Sequence, residues 1–245
     1  MIKFFRKIRY DLMEKNKTGK YLKYAIGEII LVVIGILIAL QINNWNEHLK
    51  DRNTERQILN SILIDLKSNE KILNETEPTI DKQINHTKFF LELMEEEPIV
   101  SDSTFNKVKK FMGSSTNVAD IHLNLLGIEG IINTKIELIT NDSIKSALIK
   151  YPAAFEGYKE EENVMMDLRN NRIRPRLKDF VFLENIASGS KKFRSNIREL
   201  LSDRTYANDM TDRKWVSGYW KKDFETLRNH GRILIKLIEK ELNRN

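Results

Sequence analysis

The sequence predicts an all-α protein: one N-terminal transmembrane helix continues into a long stalk helix, and an extracytoplasmic helical bundle follows. Three observations predict this class. A largely apolar segment of 19 residues, 24–42, is long enough for a membrane-spanning helix. No Gly or Pro interrupts the chain from Asn43 to Glu77, and the apolar–polar alternation of half-buried strands is absent from the sequence.

The chain is expected to have three parts. They are a basic cytoplasmic or interfacial segment at 1–23, a transmembrane signal anchor at 24–45 and an extracytoplasmic helical domain at 46–245. The last part, of about 200 residues, is large enough to bury a stable core. The chain contains no cysteine, which excludes disulfides, thiolate metal sites and cysteine nucleophiles.

Positive charge is concentrated at the N-terminus. Residues 1–23 carry eight Lys and Arg and two acidic side chains, and the rest of the chain has equal numbers of basic and acidic residues. A protein that binds duplex nucleic acid needs cations spread over its folded surface, so the lipid bilayer is the predicted partner and nucleic acid is not. Phe5, Ile8 and Leu12 have helical spacing, which predicts either an amphipathic helix on anionic lipid or a tail without fixed structure.

The apolar segment has the length and the flanks of a membrane span. Every residue from Ile29 to Leu40 is apolar or Gly. A helix of 19 residues is about 28 Å long, close to the thickness of the hydrocarbon core. Tyr21 and Tyr24 precede the segment and Trp45 follows it, and we predict that these rings are interfacial anchors. A buried core helix is the alternative, which the cations and aromatic residues at the ends disfavour.

The flanks also predict processing and orientation. No A-x-A-like pattern surrounds Ala39, so the segment is expected to be an uncleaved signal anchor and not a cleaved signal peptide. Eight Lys and Arg precede it, and three occur in the twenty residues after it, 43–62. Because cations are retained on the cytoplasmic side, the N-terminus is predicted to be cytoplasmic and the C-terminal domain extracytoplasmic.

One stripe of the span carries small and polar residues. Glu28, Gly35, Ala39 and Asn43 fall on the same helical face. Small residues let two helices approach closely, so this stripe is the predicted transmembrane contact face of a homo-oligomer. Glu28 is either a functional intramembrane acid or a side chain that reaches back to the near interface.

Helical spacing continues beyond the span. Residues at intervals of three and four form a seam: Leu59, Ile62, Leu66, Asn69 and Leu73. The seam either pairs with a second copy along the stalk as a coiled coil or packs inside its own domain. Pro78 and Pro152 are expected to separate helices. The helices predicted after the stalk lie at 79–96, 104–112, 142–151, 152–171, 191–201 and 212–242, with broken helices over 121–139.

No motif in the sequence predicts catalysis. The four histidines are never three or four residues apart, as a helical metal site requires. The sequence has no nucleophile elbow and no Gly-rich phosphate loop. We therefore predict no catalytic, cofactor-binding or metal-binding residue, no cofactor and no enzymatic activity.

A cluster of arginines suggests an anion site. Arg169, Arg172 and Arg176 would share a face of one helix, and guanidinium groups suit carboxylates and phosphates. The alternative is a basic strip that pairs with Glu160–Glu162 and Asp167 of the same domain, with the three glutamates on a solvated helix face.

The anchor region has a recognisable sequence. The residues from Ala25 to Glu47, AIGEIILVVIGILIALQINNWNE, follow a basic leader that begins MIKFFRKIR. Residues 1–50 resemble an uncharacterised bacterial family of single-pass membrane proteins, classed as a domain of unknown function, and the resemblance extends less closely to Ile136–Tyr151 and Leu200–Asn208. It implies a bacterial inner-membrane protein with a helical C-terminal part and no known enzyme activity, and it implies no catalytic residues.

Two functions fit these observations. The first is a membrane-anchored, non-enzymatic binding or scaffolding protein that presents its helical domain outside the cytoplasmic membrane to a second copy or to an unknown protein partner. The second is a receptor-like module that binds a small anionic ligand and signals through a partner, because only 23 residues are expected to face the cytoplasm. An exposed apolar patch favours the first function and a deep polar pocket the second.

Overall fold

The computed structural model describes residues 10, 18–95, 106, 108–109, 111–113 and 116–244, without the side chains of residues 18, 20, 21 and 24. The amphipathic helix predicted from Phe5, Ile8 and Leu12 lies outside the described residues, as does part of the helix predicted at 104–112. The chain divides into two compact units, Met1–Glu55 and Arg56–Asn245, and each is described by itself.

The described part of the chain is helical and contains no strand, which confirms the all-α prediction. A 3₁₀-helix at Ile136–Leu138 follows the helix Leu126–Thr134, and a π-helix at Leu168–Ile173 joins the helix Asp142–Asp167 to the helix Arg174–Phe180. The α-helices with described bounds are α1 Thr18–Glu95, α2 Leu126–Thr134, α3 Asp142–Asp167, α4 Arg174–Phe180, α5 Leu183–Ala187, α6 Ile197–Leu201 and α7 Arg204–Leu242.

In the first unit, the apolar segment is helical throughout, since α1 begins at Thr18, before the segment, and continues past its end. Every side chain from Ile29 to Leu40 is exposed. Among the described residues, α1 is the one helix that is long and apolar enough to cross a membrane, and none of its most apolar stretch is buried.

In the second unit, the predicted seam is the buried face of α1. Its five side chains, from Leu59 to Leu73, are at most 2% exposed. The polar member, Asn69, donates from Nδ2 to the Asn124 carbonyl at 2.9 Å and accepts from the Asn124 N–H at 3.0 Å. The buried amide is therefore satisfied within its own chain. The seam packs inside the domain, which was the second of its two predicted arrangements.

Helices α3 and α7 meet through aromatic side chains in the core. The Tyr158 ring of α3 lies 6.2 Å from the Trp220 ring and 6.1 Å from the Phe224 ring of α7, centroid to centroid. Further along, a Cβ at Gly231 would lie 3.0 Å from Cε2 of Tyr151. The absence of a side chain at Gly231 thus allows the two helices to approach at the tyrosine ring.

Ion pairs join α7 to α1 beside this core. Glu77 accepts from Lys221 Nζ at 3.1 Å and also pairs with Arg228. Burial raises the pKa of the Glu77 carboxyl, but the hydrogen bonds from the two cations outweigh burial and leave that pKa below its usual range. Seven residues before Glu77, Glu70 bonds to Arg232 at 3.1 Å, and four residues after it, Asp81 bonds to Lys221 at 2.8 Å.

The two prolines that were expected to separate helices lie inside helices, so the predicted breaks are wrong. Pro78 is within α1 and Pro152 within α3. A proline in a helix interior costs about 3 kcal/mol because it removes a hydrogen bond and clashes with the preceding turn. Core residues on both sides of each proline, such as Leu73 and Ile80 around Pro78, are buried in the same cluster. Their burial outweighs the local penalty.

The region from 168 to 204 also differs from the prediction. The predicted helix at 152–171 is the second half of α3 and runs on through the π-helix into α4. The last helix begins at Arg204, eight residues before the predicted start, because Asp203 caps it by accepting from the Tyr206 N–H at 2.7 Å. The predicted helix at 191–201 is shortened to α6.

Candidate functional site

The predicted transmembrane contact face lies on α1 and is open. A Cβ built on Gly35 meets nothing within 4 Å. Ala39 and Asn43 are exposed, and Asn43 Nδ2 donates to Glu47 Oε1 at 3.1 Å, so its amide has a local partner. Glu28 is partly buried. The four residues therefore form a stripe that a second helix can reach, and their role in association stays a prediction.

Of the predicted interfacial anchors, one side chain is described. Trp45 is 66% exposed, and its role as an interfacial anchor stays a prediction. The side chains of Tyr21 and Tyr24 lie outside the described part of the chain.

Two of the three predicted anion-binding arginines, Arg169 and Arg172, lie in the π-helix, and Arg176 lies in α4. Arg172 and Arg176 line one open groove with Pro175, Asp179, Thr205 and Asp209. Arg172 Nη2 bonds to Asp209 at 2.6 Å and to Asp212 at 2.8 Å. Both arginines of the groove are thus paired with carboxylates of the same domain. Their partners are Asp209 and Asp212 of α7, Asp179 of α4 and the capping residue Asp203, not the predicted Glu160–Glu162 and Asp167.

The ion pair between Arg176 and Asp203 is a bidentate fork. Arg176 donates from Nε to Asp203 Oδ1 at 3.0 Å and from Nη2 to Oδ2 at 2.5 Å. A third bond, from Nη1, reaches the exposed Asp179 at 3.1 Å. The hydrogen bond from Arg176 holds the pKa of the Asp203 carboxyl below its usual range, with the Tyr206 N–H acting in the same direction. Asp203 therefore caps α7 and anchors α4 at the same time.

We predict that Asp203→Asn lowers the melting temperature at pH 7 and that this deficit shrinks as the pH falls. The amide keeps the oxygen that caps α7 and loses the charge that Arg176 contacts. A lowered carboxyl pKa contributes stability above the unfolded-state value of about 4 and loses it as the pH falls through the folded-state value. Melting curves of both proteins at pH 7, 5, 4 and 3 measure the effect.

Asp179→Asn is the matched control for this variant. Asp179 bonds to the same arginine but is exposed and caps no helix, so a smaller deficit is expected. A deficit for Asp203→Asn that is equal at pH 3 and pH 7 would show that the ionised fork contributes nothing.

A second charged network lies between α3 and the segment before α2. Lys159 Nζ bonds to Asp120 Oδ1 at 3.2 Å and also pairs with Glu162, whose Oε2 accepts from the Ile121 N–H at 3.4 Å. The hydrogen bond from Lys159 lowers the pKa of Asp120, while burial raises the pKa of Glu162. Glu162 is buried, so the prediction of a solvated face for Glu160–Glu162 is wrong at this residue. The network fixes residues 120–121 against α3.

Sequence analysis missed a buried arginine, Arg213 of α7. Its side chain is fully buried, and Nη2 donates to the Asn117 carbonyl. Nε and Nη1 have no hydrogen-bond partner among the described residues. The signal lies in the register of α7, where five fully buried residues are spaced by seven: Tyr206, Arg213, Trp220, Leu227 and Leu234. Because the helix was expected to begin at 212, Tyr206 was left outside it and the repeat that places Arg213 at a core position was not recognised.

Within the described part of the chain, no group of three or more His, Asp or Glu side chains could hold a metal ion. Apart from Glu161, whose pKa is raised by burial and by nearby acids, the groups with shifted pKa values belong to ion pairs or to the core. The ion pairs of this domain therefore hold its helices in position. Arg213 differs from the other cations described above because two of its donor groups are unused.

Comparison with known families identifies one match. Residues 28–122 match a family described as "Family of unknown function (DUF6090)". The match covers less than half of the chain, begins at Glu28 in the apolar segment and includes the seam of α1. It confirms the predicted resemblance to an uncharacterised family over this region. No curated protein and no solved structure matches the chain.

Proposed function

We propose that the chain is a membrane-anchored, non-enzymatic binding or scaffolding protein. Its apolar segment crosses the inner membrane of a bacterium once, with the N-terminus in the cytoplasm and the helical domain outside. The observation that carries the proposal is the stretch Ile29–Leu40, in which every side chain is exposed. Exposed apolar surface is unfavourable in water, and the hydrocarbon of a bilayer is the environment that suits a helix of this length.

Two exposed aromatic residues offer a surface for a protein partner. Trp215 and Tyr219 lie one turn apart on α7 and are 65% and 63% exposed. Trp and Tyr are enriched among the residues that contribute most to protein interfaces. Lys214 and Lys222 flank them in the sequence and are exposed. We therefore propose a partner with an apolar pocket for the rings and an acidic rim.

Self-association is proposed through the transmembrane face. Gly35 and Ala39 present a small surface that lets a second copy of α1 approach closely. The open space around Gly35 supports this assignment.

Co-purification from gently solubilised membranes tests the partner surface. A C-terminally tagged full-length chain is expected to recover a foreign protein in stoichiometric amount, and the double variant Trp215→Ala/Tyr219→Ala is expected to lose it. Ile64→Ala, at an exposed apolar residue of α1, is the control and should retain it. Recovery of the chain alone, or equal recovery by the double variant, would contradict the proposed surface.

The same experiment tests self-association when two differently tagged copies are expressed together. The second tag should accompany the first in the wild type and be lost in Gly35→Ile, because the added side chain keeps the helices apart. Leu37→Ile, on another side of α1, is the matched control. Undiminished recovery from Gly35→Ile would rule out this contact face.

A further inference from the structure

Arg213 is a buried cation without a carboxylate partner. Its side chain is fully buried, and its one hydrogen bond among the described residues is the donation from Nη2 to the Asn117 carbonyl. Burial lowers the pKa of Arg213 to about 10, so the guanidinium is still charged at neutral pH. Proteins rarely leave such a charge unpaired, because removal from water is strongly unfavourable without a counter-charge.

A second cation, Arg169, adds to this deficit of negative charge. Arg169, at the start of the π-helix, is close enough for its charge to lower the pKa of Arg213 further. Within the described part of the chain, Arg169 bonds to the Asn170 amide at 3.1 Å and to no carboxylate. Asp209, one turn before Arg213 on α7, is buried and is bound by Arg172. Within the described residues, neither Arg213 nor Arg169 therefore pairs with a carboxylate.

A third unused donor lies on the same face of α7. Tyr206 precedes Arg213 by seven residues, two helical turns. Its hydroxyl is buried and has no hydrogen-bond partner among the described residues. The guanidinium Nε and Nη1 groups and this hydroxyl are unsatisfied polar groups in one part of the core, which native structures seldom contain unless a ligand or water completes them.

We propose that Arg213 and Arg169 form a binding site for a compact oxyanion, the carboxylate or phosphate group of a small soluble molecule, with the Tyr206 hydroxyl as an additional donor. Guanidinium groups are suited to these oxyanions because they donate several directed, charge-assisted hydrogen bonds. Arg169 is partly exposed, so it forms the entrance, and Arg213 forms the base. The site is separate from the groove of Arg172 and Arg176, where aspartates already occupy both guanidinium groups. It is also independent of membrane anchoring and of the partner surface on α7.

Melting of the full chain in phosphate-free maltoside micelles tests the site. Inorganic phosphate and acetate are the probes, each titrated at constant ionic strength. At least one probe is expected to raise the melting temperature of the wild type saturably, because a ligand that binds the folded state alone stabilises it. Arg169→Gln is expected to weaken the apparent affinity by about ten- to a hundredfold, the loss of one charge-assisted hydrogen bond. Arg213→Gln is expected to abolish the response.

Arg174→Gln is the matched control, since Arg174 is an exposed arginine on the neighbouring α4. It should bind the probe like the wild type. Because Arg169 is partly exposed, its variant is expected to fold even if Arg213→Gln does not. The proposal is overturned if neither probe shifts the melting temperature, or if Arg174→Gln loses as much affinity as Arg169→Gln. A shift produced by phosphatidic acid in the micelles and by neither soluble probe would assign the site to a lipid headgroup and overturn the soluble ligand.

Discussion

Lysine at both Ile34 and Ile38 is expected to release the chain from the membrane. The two residues lie in the middle of the apolar segment, one turn apart and exposed on α1. A Lys at the centre of a spanning helix opposes insertion by about 2.5–3.5 kcal/mol, whereas each Leu, Ile or Val favours it by only about 0.3–0.6 kcal/mol. Two lysines therefore remove most of the drive for insertion. Alkaline carbonate extraction, which retains integral proteins in the pellet, measures the result.

Ile64→Lys is the control for this experiment. Ile64 is also an exposed isoleucine of α1, 70% exposed, but it lies in the second unit and outside the apolar segment. The variant should stay in the pellet like the wild type. If the Ile34→Lys/Ile38→Lys protein also stays there, the apolar segment is not what anchors the chain.

Trp220→Ala is expected to lower the free energy of unfolding by about 3–5 kcal/mol, the usual loss when a buried Trp or Phe is truncated. The Trp220 side chain is fully buried between α3 and α7, and its ring stacks on Tyr158 at an interplanar angle of 26°. Small domains are stable by about 5–15 kcal/mol in total, so this one residue accounts for a large part of the margin. Urea unfolding of the full chain in micelles, followed by circular dichroism, measures the change.

Trp215→Ala is the internal control on the same helix. Trp215 is 65% exposed, and surface substitutions usually change stability by less than about 0.5 kcal/mol. Comparable losses from both variants would contradict the described packing of α7. The control also supports the co-purification experiment, because a stable Trp215→Ala protein that loses its partner has lost an interface rather than its fold.

The regular spacing of apolar residues made the helical class and the buried face of α1 predictable. The seam from Leu59 to Leu73 has the period of a helix packed on one side, and the structure buries all five of its residues. The helix breaks predicted at the two prolines were wrong because the local signal did not decide the structure there. Pro78 and Pro152 are strong local signals against a helix, but the core contacts on either side of them come from distant parts of the sequence.

The pairing of charges was harder to predict than the helices. One of the two predictions for Arg172 and Arg176 was pairing with acids close in sequence, but the structure pairs Arg172 with Asp209, 37 residues away, and Arg176 with Asp203, 27 residues away. No local period encodes such contacts. Arg213 was missed because a charged residue at a core position cannot be recognised until the register of its helix is known.

The π-helix at Leu168–Ile173 has a consequence for how the length of the chain can vary. The buried residues through it are Met165, Leu168, Ile173 and Leu177, at intervals of three, five and four. The interval of five marks one residue more than an α-helix needs there. A homologous chain that has lost this residue can continue as a plain α-helix, with an interval of four in place of five and the buried face of α4 unchanged. Single-residue gaps in an alignment therefore belong in this segment, and not in the seven-residue repeat of α7, where each would turn the core face outward.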